Sequence, residues 1–146
     1  MAKFRFSLQT LLRFREDAEQ AARDEMMLRV SRQQQEQQKL DDLRTRRAET
    51  SAEMAEKQME DTAYGELIYY RMYLDRLDYE IENSHRRLVR LRAEVELQRK
   101  ILVEASKKRK TLTSLREKKE NEFNLALEKT FQKEIDDIVI TRHKRA

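Results

Sequence analysis

Apolar residues recur along the second half of this chain at a spacing that only a helix can use. Steps of alternately three and four residues from Leu67 land on Leu67, Tyr70, Leu74, Leu77, Ile81, Ser84, Leu88, Leu91, Val95, Gln98, Leu102, Ala105, Arg109 and Leu112, and eleven of those fourteen are apolar or tyrosine. A repeat of about 3.5 residues held this long keeps one seam turned toward one partner helix, which is the coiled-coil condition. Beyond Leu112 the stripe shifts through Leu115, Phe123, Leu127, Phe131, Ile135 and Ile138.

The first half carries a weaker version of the pattern. Leu8, Leu11, Leu12, Ala18, Ala22, Met26 and Val30 form an early stripe, and Leu40, Leu43 and Met54 resume it. Between them lies a polar tract, Gln33 to Gln38, with no helix breaker on either side, which reads as weakly packed helix. Ser7 is placed to cap this helix, with Phe6 before the cap packing on Leu11.

Breakers are confined to one place. There is no proline, and the one glycine, Gly65, follows Glu60, Asp61, Thr62, Ala63 and Tyr64, a run suited to a turn. The expectation is an all-α, antiparallel two-helix coiled-coil hairpin, one domain over 1–146. Helix 1 is expected over about 7–60, the turn over 61–65, helix 2 over about 66–138 and a basic tail over 139–146. A second helix of roughly 70 residues is about 105 Å long at about 1.5 Å per residue, and it overhangs the first. Such a rod lacks a natural pocket for chemistry, so a mechanical or adaptor role is expected.

Composition narrows the function further. Charged residues make up 41% of the chain and aromatics 7%, the profile of long helices rather than of a globular core. Cysteine is absent, so no disulfide framework, thiolate metal site or thiol nucleophile can form. His85 and His143 lack acidic or cysteine partners at metal spacing, and a single glycine cannot supply a phosphate-binding loop. The pairs Asp41–Asp42 and Asp136–Asp137 lie on helix surfaces. No enzyme activity, cofactor or metal is expected. The sequence contains neither a run of about 18 apolar residues nor a secretory leader, and a cytoplasmic protein is the default.

Two distributions are uneven. All five tyrosines (Tyr64, Tyr69, Tyr70, Tyr73, Tyr79) fall beside the expected turn, and all five phenylalanines (Phe4, Phe6, Phe14, Phe123, Phe131) fall near the termini. Tyr70 is on the seam. Ile68, Tyr69, Met72, Tyr73 and Tyr79 are off it, which makes them either a docking surface or packing at a widened tip. Residues 86–119 hold thirteen Lys or Arg and four acids, a local net of +9. Pairing between the helices accounts for such a run, as does an acidic partner or a nucleic acid. No aromatics interleave with it for base stacking and no nucleic-acid-recognition fold is present, which argues against the last.

The segment Phe4-Arg5-Phe6-Ser7-Leu8-Gln9-Thr10-Leu11-Leu12-Arg13-Phe14-Arg15 resembles the start of flagellar export proteins of the FliJ family. The later run Lys108-Arg109-Lys110, Leu115 to Lys119, Phe123 and Glu134 to Ile138 is similar to that family too, as are the length and the position of the turn. The resemblance implies an antiparallel two-helix coiled coil similar to the central stalk of rotary ATPases. It implies service to the flagellar type III export apparatus in the bacterial cytoplasm, peripheral to the inner face of the membrane. Implied partners are the hexameric export ATPase, the cytoplasmic domain of the export gate and export chaperones. By position, Phe6, Leu8, Leu11 and Leu12 with Phe123, Leu127 and Phe131 fall in the ATPase-facing end. Tyr73 and Leu77, with Tyr69 and Tyr79 beside them, fall in the gate-facing region. The stretch of helix 1 around Leu43, Arg46 and Thr50 lacks aromatics expected opposite them. The rival readings are a nucleic-acid-binding basic coiled coil and a generic spacer or homodimer whose arms pair between chains.

Overall fold

The computed structural model describes residues 2–60 and 62–145. Two helices account for nearly all of them: α1, Gln9–Met59, and α2, Tyr64–Arg145. No strand occurs among the described residues. The fold is an all-α antiparallel hairpin.

Both helix starts differ from the sequence expectation. The amide of Gln9 donates to the Phe6 carbonyl at 3.1 Å, and the amide of Leu12 donates to the Leu8 carbonyl at 2.8 Å. A three-residue turn thus leads into α1, and Leu8, not Ser7, stands at its cap position. Leu11, expected under Phe6, stays 39% exposed. At the other end Glu60 donates to the Glu56 carbonyl at 3.1 Å, and Thr62 to the Glu60 carbonyl at 2.8 Å. Ala63 then opens α2 by accepting from both Glu66 and Leu67.

Gly65 therefore lies inside the first turn of α2 and not in the connection. Its φ is not in the left-handed region, and a Cβ there would meet nothing within 4 Å. Glu60, Thr62 and Ala63 supply the hydrogen bonds of the connection, which needs no glycine. The segment 139–145, expected as a tail, continues α2, because no residue in it breaks a helix. Arg142, His143, Lys144 and Arg145 occupy its last turn, where positive charge suits the exposed carbonyls.

The chain divides into two compact units, Ala22–Leu102 and Met1–Ala21 with Val103–Ala146. In the first, Leu40, Leu43, Leu74, Leu77 and Leu88 form the buried apolar core, with Leu40 and Leu88 at 1% exposure. In the second, Leu12 and Leu112 are the buried leucines, and Glu19 is buried beside them. All fourteen α2 positions from Leu67 to Leu112 are buried or half-buried, as the spacing predicts. The same spacing runs through α1 from Leu12: Arg15, Glu19, Ala22, Met26, Arg29, Gln33, Glu36, Leu40, Leu43, Arg47, Thr50, Met54 and Lys57 are all buried or half-buried. Eight of those α1 positions are polar or charged. In the glutamine tract this puts Gln33, Glu36 and Gln37 inward, and Gln34, Gln35 and Gln38 in solvent.

Candidate functional site

In the unit built from the termini, the residues preceding α1 lie against α2. The rings of Phe4 and Phe123 stand 5.8 Å apart at 52°. The Arg116 guanidinium sits 5.6 Å from the centre of the Phe4 ring, a cation–π arrangement. Its Nε donates to Gln9 Oε1 at 3.3 Å and Nη1 to Glu120 at 3.2 Å. Deeper along the pair, Arg109 Nε donates to Glu19 Oε2 at 3.1 Å. An open groove here is lined by Phe4, Arg5, Phe6, Leu12, Arg13 and Arg116 among others, so its walls combine apolar and cationic surface.

The expected ATPase-facing residues separate into three environments. Leu12 is buried, Phe6 and Phe123 are half-buried, and Leu8, at the cap, and Leu11, on α1, are exposed. Leu127 and Phe131 line a hollow whose walls, with Glu128, Thr130 and Glu134, all come from α2. The sequence reading joined Leu127 and Phe131 to the α1 leucines. Instead it is Phe4 that meets Phe123, and Leu127 and Phe131 belong to an apolar face that continues through Ile135 and Ile138.

The unit Ala22–Leu102 presents the tyrosines. Tyr64, Tyr69 and Tyr79 are 79%, 75% and 69% exposed, Tyr73 is partly covered, and Tyr70 is half-buried on the seam. Tyr69, Tyr70 and Tyr73 share a shallow depression with Glu66. Ile68, Met72 and Met59 are exposed as well. The tip therefore does not widen to bury its aromatics. Leu77, grouped with them from the sequence, is 2% exposed in the seam and is not part of this surface.

Polar residues cross the seam in layers. Ser84 Oγ donates to Glu36 Oε1 at 2.7 Å, and Arg87 Nε donates to the same oxygen at 3.0 Å. Burial works against the Glu36 charge, but the Ser84 and Arg87 hydrogen bonds outweigh it and hold the carboxyl below its ordinary value. Gln98 Nε2 donates to the Ala22 carbonyl at 3.0 Å, and Arg29 Nη1 donates to the Glu94 carbonyl at 3.1 Å. Arg47 forms a bidentate pair with Asp78, lowering that carboxyl as well. Among the described residues no buried side-chain nitrogen or oxygen lacks a hydrogen bond. These layers escaped the sequence reading, although a step of three and four from Leu12 lands on them once polar residues are admitted to the seam.

The basic run resolves mostly within α2. Arg86–Glu82, Arg99–Glu96, Lys107–Glu104, Arg116–Glu120 and Lys119–Glu122 are pairs three or four residues apart. Arg87–Glu36 and Arg109–Glu19 span the two helices. Among the described residues no group of three or more His, Cys, Asp or Glu is placed to hold a metal ion, and no helix is long and apolar enough to cross a membrane.

Residues 4–146 match the family described as flagellar FliJ protein. The chain belongs to the FliJ family. No match was found among curated proteins or among solved structures. Membership makes the chain a component of the flagellar export apparatus. FliJ-like features of the opening segment then take on a physical form: Phe4 packs on Phe123, while Leu8, Leu11 and Phe14 stay exposed.

Proposed function

We propose that this FliJ-family chain is a non-catalytic stalk and adaptor of the flagellar type III export apparatus. The unit carrying the termini seats in the hexameric export ATPase and promotes its assembly and activity. The tyrosine surface, with Tyr69, Tyr73 and Tyr79 outward and Leu77 buried in the adjoining seam, contacts the cytoplasmic domain of the export gate. Export chaperones are further partners. The protein works in the cytoplasm, held at the inner face of the membrane through these partners.

One observation carries the ATPase assignment. From Leu125 to Ile140, α2 leaves Leu125, Leu127, Phe131, Ile135, Ile138, Val139 and Ile140 each at least 38% exposed. A helix that shows this much apolar surface to water is half of an interface. A single asymmetric protein inside a six-fold ring touches only some subunits at once, and so favours nucleotide closure at those subunits. Binding only the assembled ring also shifts assembly by mass action.

The purified chain should raise ATP hydrolysis by the export ATPase at subunit concentrations where the ring is partly assembled. The enhancement should shrink once the ATPase is fully hexameric. Deleting residues 1–14, or replacing Leu127 and Phe131 with serine, should abolish it while circular dichroism still reports the central coiled coil. An ATPase rate that ignores the intact chain at every ATPase concentration rejects the stalk in favour of a spacer.

A further inference from the structure

The spacing of the polar layers in the unit Ala22–Leu102 matches the position of Gly65 in a way that neither feature explains alone. Fourteen residues separate Ala22 from Glu36 on α1, and fourteen separate Ser84 from Gln98 on α2. The two layers, Glu36–Ser84 and Ala22–Gln98, are thus two heptads apart on both helices. Between them the α2 seam offers only Leu88, Leu91 and Val95. A leucine-rich seam of this kind accepts a partner in any register shifted by whole heptads, because every shift restores apolar contact.

Sliding α1 by one heptad along α2 moves the apex of an antiparallel hairpin by half a heptad, about 3.5 residues. The midpoint between the end of α1 at Met59 and the start of α2 at Tyr64 moves by that amount to Gly65. Gly65 is the residue best suited to a turn, yet here it is held in helical conformation with open space where a Cβ would stand. In the shifted register Glu36 would lie against Leu91, losing both Ser84 and Arg87, and Arg47 would face His85 in place of Asp78. A buried carboxylate stripped of its partners is strongly unfavourable. A slip of two heptads brings Glu36 to Gln98, which tolerates it, but sets Arg47 beside Arg92.

We infer that the polar layers Glu36–Ser84–Arg87, Ala22–Gln98 and Arg47–Asp78 are a register lock, holding the connection at 60–63 against a second hairpin register, one heptad away, that turns at Gly65. The lock acts by the cost of unpaired groups in the wrong register. The right register could gain as much packing from leucine at the same positions. Because Glu36, Arg47, Ser84, Arg87 and Gln98 are all needed only in the observed register, they need not touch any partner protein to matter.

Spin labels at Gln35 and Arg71, both exposed, read the register directly in the full chain. The shift to a Gly65 turn lengthens their separation by about 10 Å, seven residues at about 1.5 Å each. The unsubstituted seam should give one distance. The variant Glu36→Leu, Ser84→Leu, Gln98→Leu should give two, the second longer by about 10 Å. Adding Gly65→Ala to that variant should deplete the longer population. Circular dichroism confirms that each variant is helical, and sedimentation restricts the measurement to monomer. A single, unchanged distance in the triple-leucine variant overturns the lock. A longer population that survives Gly65→Ala undiminished overturns the Gly65 turn.

Discussion

At the scale of single residues, Glu36 illustrates how a polar group is accommodated in a two-helix seam. Its side chain is 14% exposed, and one carboxylate oxygen receives both the Ser84 hydroxyl and the Arg87 guanidinium. Hydrogen bonds to the ionised form lower its folded pKa below the ordinary 4.5. The sign of the linkage follows. The stabilisation is complete above the unfolded value and is lost as pH falls below it through the folded one. Asp78, held low by Arg47, adds in the same direction from a more exposed site. The thermal midpoint should therefore decline as pH drops below about 4.5, and Glu36→Gln should flatten that decline while lowering the midpoint at neutral pH. A wild-type midpoint that is flat across this window would contradict the linkage.

Among the elements, α2 is the one its sequence reveals and α1 the one it conceals. The α2 seam is apolar at almost every step, so a period of 3.5 is visible without knowing its partner. Leu88 is 1% exposed and Leu91 only half-buried on that seam. Leu88→Ala should cost about 2–5 kcal/mol in chemical denaturation, and Leu91→Ala distinctly less, because the cost follows the cavity left behind. Equal losses would mean the seam collapses around either site. In α1, Arg15, Glu19, Arg29, Gln33, Glu36, Arg47, Thr50 and Lys57 occupy seam positions, and an apolar pattern search passes over them. Their inward places depend on the long partners they meet, which only the folded pair supplies. The turn was legible to within a few residues, but Gly65 drew the eye to the wrong one. What sets the connection is the hydrogen bonding of Glu60, Thr62 and Ala63. Phe4 meeting Phe123 was equally hidden, since a short segment outside the helices has no period to betray its contacts.

For the whole molecule, surface character differs between the two units. All five phenylalanines lie in the unit of the termini and all five tyrosines in Ala22–Leu102. The apolar side chains beyond Phe123 are mostly in water, so they add little folding energy. Truncation after Phe123 should change unfolding free energy by about 1 kcal/mol or less while removing the proposed stimulation of the export ATPase. A large loss of stability on truncation would mean the helix end is packed in solution and cannot be the gripping surface.

The segregation of aromatics has an optical consequence. With no tryptophan in the chain, ultraviolet emission comes from tyrosine, and every tyrosine sits in Ala22–Leu102. Fluorescence during unfolding thus follows that unit alone, while far-ultraviolet dichroism follows helix in both. The unmodified protein carries its own internal reporter, and the lag between the two melting curves measures how strongly one unit depends on the other.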